Sequence, residues 1–334
     1  MTARPGASLE EMIAGLRAFA IPMPVKFRGI TVRKGALIRG PAGWGEFSPF
    51  AEYGPAECAR WLASAIESAT LGWPAPVRDQ IDVNVTVPAV GPELAAQIVA
   101  GSRCRTAKVK VAERGQDEAE DLARVEAVRA ALGPSGRVRV DANGGWDVGQ
   151  ATRMLRQLAR FGLEYAEQPC ATLDEMADLR RHIDIPVAAD ESIRRAADPL
   201  RVRALGAADI VMLKVQPLGG VRAALEVAQA CGLPVVVSSA VDTSVGLAAG
   251  VALAAALPEL PYACGLGTMS LLDGDVTAAP LVAEDGALPV RRPPVDAAQL
   301  ARWETDPAPW QERARAAAAY LSQPDRDQPD RVGP

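Results

Sequence analysis

Residues 106–111 read Thr-Ala-Lys-Val-Lys-Val and residues 138–141 read Val-Arg-Val-Asp. Tyr-Ala-Glu follows at 165–167, Val-Ala-Ala-Asp at 187–190 and Ile-Val-Met-Leu-Lys at 210–214. Each is a short apolar run closed by an ionisable residue, and Asp141, Glu167, Asp190 and Lys214 succeed one another at intervals of 26, 23 and 24 residues. A strand of ~5–6 residues, a helix of ~11–12 and two short connections take up about that length. Charged groups at the same end of successive parallel strands converge in space, which is how a (β/α)₈ barrel assembles an active site.

The pattern extends in both directions. Further strand candidates lie at 81–87, 235–238 and 262–264, and amphipathic helical segments at 119–132, 148–160 and 221–230. Eight strands in alternation with helices favour a closed barrel over an open doubly wound sheet, and no GxGxxG follows the first strand. Upstream, residues 30–33 and 36–39 alternate between glycines as in a β-meander, Gly43-Trp44-Gly45-Glu46-Phe47-Ser48-Pro49 continues it, and 55–71 reads as a helix. The expected fold is therefore α/β: a (β/α)₇–₈ barrel of the TIM type over 81–268, and an N-terminal α+β capping domain over 1–80. Residues 269–321 complete the cap, with 288–290 a strand returning to the N-terminal unit and 297–321 helical, broken at Pro307 and Pro309. Residues 322–334 are polar and proline-rich and read as a disordered tail.

Composition narrows the function. With 334 residues, 49% of them hydrophobic and 23% charged, the chain can bury one large core and a smaller one. A net charge of −5 without a basic cluster argues against nucleic acid, and no uninterrupted apolar run approaches the ~18 residues of a membrane span. The first fifteen residues carry Glu10 and Glu11 and lack the apolar core of a signal peptide. Five scattered cysteines without CxxC spacing read as reduced thiols, so a cytoplasmic location is expected. The partner read from the chain is a small-molecule carboxylate substrate; oligomeric state is not encoded legibly.

The candidate chemistry lies at the strand ends. Asp141, Glu167 and Asp190 would bring three hard oxygen ligands around one point, where they repel unless a cation sits among them. With no histidine or cysteine nearby, Mg²⁺ is the expected ion and Mn²⁺ the second. Lys108 and Lys110 are two apart on a strand and share a face, while Ala107, Val109 and Val111 occupy the other. Only five of the 36 basic residues are lysines, and three of them, Lys108, Lys110 and Lys214, stand at these strand ends. Lysine, unlike arginine, can shed its proton when buried. A metal opposite lysine bases suits removal of the α-proton of a carboxylate with stabilisation of the enediolate.

Lys108-Val109-Lys110, Asp141-Ala142-Asn143-Gly144, Glu167-Gln168-Pro169, Ala189-Asp190-Glu191-Ser192 and Lys214-Val215-Gln216-Pro217 resemble the enolase superfamily, which pairs lysine bases with Mg²⁺. The two-sided lysines are similar to its muconate-lactonising subgroup. Phe27-Arg28-Gly29, residues 43–50 and the serines of 238–246 resemble the o-succinylbenzoate synthase family. This resemblance implies Mg²⁺-dependent syn elimination of water from 2-succinyl-6-hydroxy-2,4-cyclohexadiene-1-carboxylate, in menaquinone biosynthesis. It implies Asp141, Glu167 and Asp190 as metal ligands, Lys110 as base, Lys214 across the ring, and Lys108 tuning Lys110. It places Asn143, Glu191 and Gln216 behind the ligands, orienting them. Ser238, Ser239 and Arg28 become candidates for substrate carboxylates, each equally readable as an ordinary polar or salt-bridging residue. Residues 21–29 are expected to form a mobile loop over the substrate.

Other readings stay open at this level. N-acylamino acid racemases and dipeptide epimerases of the same subgroup use the same lysines, although Cys264-Gly265-Leu266-Gly267 stands where the epimerases carry Asp-x-Asp. A Schiff-base aldolase would make Lys214 a nucleophile but leaves the three carboxylates unexplained. A non-catalytic barrel would leave both sets without a purpose. The sole histidine, His182, reads as a surface residue, so a histidine base of the mandelate-racemase kind is not expected.

Overall fold

The computed structural model describes residues 7–27, 29–193 and 198–321. Its strands in chain order are β1 (Arg17–Phe27), β2 (Ile30–Gly40), β3 (Gly43–Phe47), β4 (Gln80–Asp82), β5 (Val85–Val87), β6 (Thr106–Lys110), β7 (Arg137–Asp141), β8 (Leu163–Glu167), β9 (Val187–Ala189), β10 (Ile210–Leu213), β11 (Val235–Val237), β12 (Ala287–Pro289) and β13 (Glu304–Thr305). β5 to β11 form one parallel sheet in sequential order. Val87, Val109, Val140, Ala166 and Val187 stand in one register row facing the outer helices, and Lys110, Asp141 and Glu167 stand in the next row, facing inward. The strands are rich in Val and Ala because both sheet faces are covered.

The ring closes differently from the eight-strand expectation. The candidate at 262–264 is not a strand. Isolated parallel bridges, Val83 to Cys264 and Ser238 to Gly265, join the first and last strands through that segment. A Cβ on Gly265 would lie 2.8 Å from Ser238 Oγ, so only glycine permits the approach. The candidate at 81–87 splits into two strands. Its first part, β4, turns away to pair with β12, so the 288–290 segment returns to the edge of the barrel rather than to the cap. The strand that does reach the cap is β13, paired with β1. Pro307 precedes the helix Ala308–Ala318 and Pro309 lies in its first turn, where a missing N–H costs nothing; the chain breaks at β13 instead. The helix Ser244–Ala256 carried no amphipathic signal because it is buried on every side.

Residues 21–27, expected as a loop, belong to β1. Pro22 and Pro24 are tolerated because β13 pairs only with Ala18 and Phe19; beyond it no strand needs an N–H from this edge, and Pro22 only accepts there, from Asp273 N (2.9 Å). Arg28 lies outside the described residues, as do residues 322–334. The cap is the sheet β13-β1-β2-β3 with the helix Pro55–Thr70 on it, through a core of Ile38, Phe47, Trp61 and Leu62. Among the described residues, no helix is long and apolar enough to cross a membrane. Gly45 sets the depth of the cap's packing: a Cβ there would meet Ala65 O at 2.0 Å.

A buried polar cluster joins cap to barrel. Glu46 accepts from Ser48 Oγ (2.7 Å), Thr243 N (3.1 Å) and Gly246 N (3.1 Å). Gln216 donates to Asp242 Oδ1 (2.6 Å) and accepts from Ser48 N (3.3 Å). Arg33 donates to Val241 O (2.9 Å) and Ser48 O (2.6 Å). Burial, then the charge of Asp242, pushes the Glu46 carboxyl from its ordinary 4.5 up to about 7, against Arg33 and the hydroxyls of Thr243 and Ser48.

Two outcomes follow from these contacts. Gly45→Ala should cost roughly 1–3 kcal/mol in denaturant unfolding, because helix and sheet must part. A raised carboxyl binds a proton in the folded state that the unfolded chain has lost, so its stabilisation is full below its ordinary value and fades as pH rises towards 7. Wild type should therefore lose unfolding free energy relative to Glu46→Gln between about pH 5 and about pH 8; a gap independent of pH would contradict this.

Candidate active site

The C-terminal ends of the barrel strands carry a buried ring of opposite charges. Lys108 and Lys110 alternate with Ala107 and Val109 on β6, so both ammonium groups enter the barrel. Lys108 Nζ donates to Asp141 Oδ2 (2.9 Å) and Glu167 Oε1 (2.7 Å). Lys110 Nζ donates to Asp141 Oδ2 (2.5 Å) and Asn143 Oδ1 (2.6 Å). Lys214, which follows β10, pairs with Asp190, which follows β9. Beneath the ring the barrel is filled by Tyr165, Ala188, Ile210, Met212 and Val236, with the Arg139 guanidinium 4.6 Å from the Tyr165 ring centroid.

The electrostatics follow from crowding. Burial disfavours the ammonium of Lys108, but Asp141 and Glu167 together outweigh it and raise its pKa well above the ordinary value. For Lys110 burial dominates and Lys108 adds to it, so its pKa is lowered despite Asp141. Asp141 is held well below the carboxylate range because Lys108 and Lys110 overcome its burial, and Asp190 falls to about 2 chiefly because Lys214 overcomes its burial. Glu167 goes the other way: burial, then Asp141, pushes it up to about 8.

The three carboxylates are brought to one mouth but not around one point. Among the described residues no group of three or more His, Cys, Asp or Glu is set closely enough to hold a metal ion. Here Lys108 bridges Asp141 and Glu167, and Lys214 takes Asp190, because buried carboxylates draw in the nearest cations. The donor set nonetheless fits a hard divalent cation. All three are buried oxygen donors, and Glu167 Oε2 is buried without a hydrogen-bond partner among the described residues.

A small pocket opens above the ring. It is lined by Lys108, Lys110, Asp141, Asn143, Asp190 and Lys214 of the ring and, from β11 onward next to Lys214, by Ser238, Ser239, Ala240 and Val241, with Gly265 and Thr268 beyond. Asn143, at φ 47°, accepts from Lys110 and donates to Glu191 Oε1 (3.0 Å), so it links Lys110 to Glu191. Gln216 is placed elsewhere, in the cap–barrel cluster. His182 sits at the surface with Nε2 3.4 Å from Asp178.

Some of the site was not singled out from sequence. Phe27 reaches in from the cap, its ring centroid 5.3 Å from Lys110 Nζ. Thr86 lines the pocket from β5, and its inward parity between Val85 and Val87 was the available signal. Gln168 accepts from the backbone N–H of Asp190 (2.9 Å) and donates to Ser192 Oγ (2.8 Å), tying the ends of β8 and β9. Thr268 shares a hydrogen bond with Ser239 Oγ (2.7 Å).

Comparisons with known proteins agree with this geometry. Residues 92–294 match the model of the enolase C-terminal domain-like family and residues 18–69 that of the enolase N-terminal domain-like family. The chain is 70% identical over 311 residues to an o-succinylbenzoate synthase of Thermobifida fusca, covering 93% of this chain and 98% of that protein. It is 54% identical over 296 residues to the o-succinylbenzoate synthase of Mycolicibacterium smegmatis, covering 88% and 91%. Among solved structures, a muconate lactonizing enzyme from Pseudomonas fluorescens complexed with muconolactone superposes with TM-score 0.76 at 25% identity, covering 87% of this chain and 98% of that one.

If the carboxylates receive a divalent ion, Mg²⁺ should raise the midpoint of thermal unfolding in a concentration-dependent way, since a ligand of the folded state alone stabilises it. Glu167→Gln should abolish most of that rise while keeping the wild-type far-ultraviolet circular dichroism. Equal rises in both proteins would remove Glu167 from the ligand set.

Proposed function

Since the chain belongs to the enolase superfamily and, within it, to the o-succinylbenzoate synthase family, we propose that it dehydrates 2-succinyl-6-hydroxy-2,4-cyclohexadiene-1-carboxylate to 2-succinylbenzoate. One observation supports this above all. Lys110 and Lys214 enter a single pocket from β6 and from the end of β10, each anchored on a different carboxylate. A planar acid bound between them would have an amine on each face.

Lys110 is the proposed base. Its Nζ takes the α-proton, and the same ammonium returns a proton to the departing hydroxyl on that face, so water leaves and the ring becomes aromatic. Asn143 Oδ1 holds Lys110 in place during both transfers, and Lys108 adds a second positive charge that disfavours the charged form of its neighbour. Lys214 faces the opposite side of the ring as acid–base partner or as a cation against the developing π-system. Asp141, Glu167 and Asp190 are proposed to hold Mg²⁺, with Mn²⁺ as a substitute; when bound, the ion would offset the negative charge that builds on the substrate carboxylate. Mg²⁺ use is general to the superfamily. Ser238 and Ser239, which line the same pocket, are proposed to meet the succinyl arm. A Schiff base at Lys214 would break its ion pair with Asp190 and would leave the three carboxylates without a role.

Lys110→Ala should lower turnover by about 10²–10⁴-fold or more while leaving the fold unchanged. The appearance of aromatic product by ultraviolet absorbance, with and without Mg²⁺, measures it. A variant that turned over at the wild-type rate would show that the base is another group.

A further inference from the structure

The wall of the pocket next to Lys214 is built from the chain after β11, residues 239–243, and its conformation is unusual. Val241 lies at φ 62°, the one β-branched residue among the described residues with positive φ. A β-branched side chain is strongly disfavoured there, so the surroundings must impose that conformation. The restraints are visible. The N–H of Val241 donates to Ser239 Oγ (2.9 Å), and its carbonyl accepts from Arg33 Nε (2.9 Å). The N–H of Ala240 donates to Asp242 Oδ2 (3.2 Å), whose other oxygen is held by Gln216.

Arg33 is the restraint that comes from outside the barrel. It lies in the middle of β2, is 2% exposed, and its Nη2 donates to Ser48 O (2.6 Å) and Ser48 Oγ (2.8 Å) at the end of β3. The Phe50 ring covers it, with Cζ 4.6 Å from the ring centroid. Its planar fork therefore spans the cap and the pocket wall in a single rigid unit, something lysine's single ammonium cannot do.

We propose that Arg33 is a positioning residue for substrate selection: by gripping Val241 O it locks the strained 239–243 wall at the distance that fits the side arm of an aromatic or cyclohexadienyl carboxylate. Arg33 does not line the pocket and acts only through Val241. The inference rests on the functional reading above, because the arm in question belongs to that substrate. In this arrangement the cap contributes to specificity through a buried residue of its sheet, in addition to Phe27, which reaches the pocket directly.

The test compares wild type with Arg33→Lys, which keeps the charge beside Glu46 and Asp242 but loses the fork, and repeats the comparison in a Val241→Gly background, where the backbone conformation carries no strain. Arg33→Lys should raise KM by about tenfold and change kcat by less than about threefold, the mark of lost binding common to ground and transition states. Titration of each protein with 2-succinylbenzoate and with benzoate separates arm from ring: the variant should weaken on the first and not on the second. In a Val241→Gly background Arg33→Lys should raise KM by much less than tenfold, since glycine holds a positive φ without a steric penalty and needs no restraint. Wild-type KM in a folded Arg33→Lys, a full tenfold rise for Arg33→Lys in the Val241→Gly background, or equal losses for both ligands would overturn the proposal. A wild-type protein that forms no aromatic product would instead overturn the functional reading and this one with it.

Discussion

The structure is organised around a concentration of buried charge. Asp141, Glu167 and Asp190 meet Lys108, Lys110 and Lys214 at one end of the barrel, all out of water. Such a group is tolerable only when each charge has a partner within hydrogen-bond reach, because desolvation otherwise exceeds any Coulomb gain. The partners are supplied by strand register: Lys110, Asp141 and Glu167 are neighbours in one row of a parallel ladder. A slip of one residue in any of these strands would send a charge into the apolar layer between sheet and helices. The Val and Ala of the outward rows and the Tyr165–Met212 packing below the ring thus serve the chemistry by fixing that register.

The same crowding makes the residues unequal. Lys108, shared between two carboxylates, is bound the more firmly to its proton, whereas Lys110, with one carboxylate and a neighbouring ammonium, holds its proton less firmly than a free lysine. Glu167 bears the repulsion of Asp141 and keeps one oxygen unsatisfied among the described residues. Two lysines two residues apart thereby acquire different characters from the number of carboxylates each can reach. That is the division of labour an acid–base site needs.

The cap and barrel are joined by a second polar cluster, set within the apolar packing of Phe19, Ile21 and Leu37 of the cap on the barrel core. Arg33 and Glu46 of the cap reach the barrel loop after β11, while Gln216 and Asp242 meet them from the barrel side. Gly246 is required there because a Cβ would lie 2.9 Å from the Glu46 carboxyl. This joint places Phe27 over Lys110 and holds the pocket wall beside Lys214, so the reacting ring and the walls around it are set by different parts of the chain.

Much of this was legible from residue order. The interval between charged strand ends, the parity of Lys108 and Lys110, and the scarcity of lysine elsewhere located the ring, because strand period and repeat length are local properties of a chain. What local pattern could not decide is what depends on distant approach. Closure of the barrel by two bridges at 264–265, the pairing of β12 with the barrel edge and of β13 with the cap, and the withdrawal of Gln216 into the joint all arise from segments far apart in sequence. The charged ends of these strands were set by the sequence itself, since alternation along a strand obliges them to face inward. The wall beside Lys214, with Val241 in a conformation its own side chain opposes, was decided by tertiary structure, because the short-range bonds of Ser239 and Asp242 are completed there by Arg33 of β2, two hundred residues earlier.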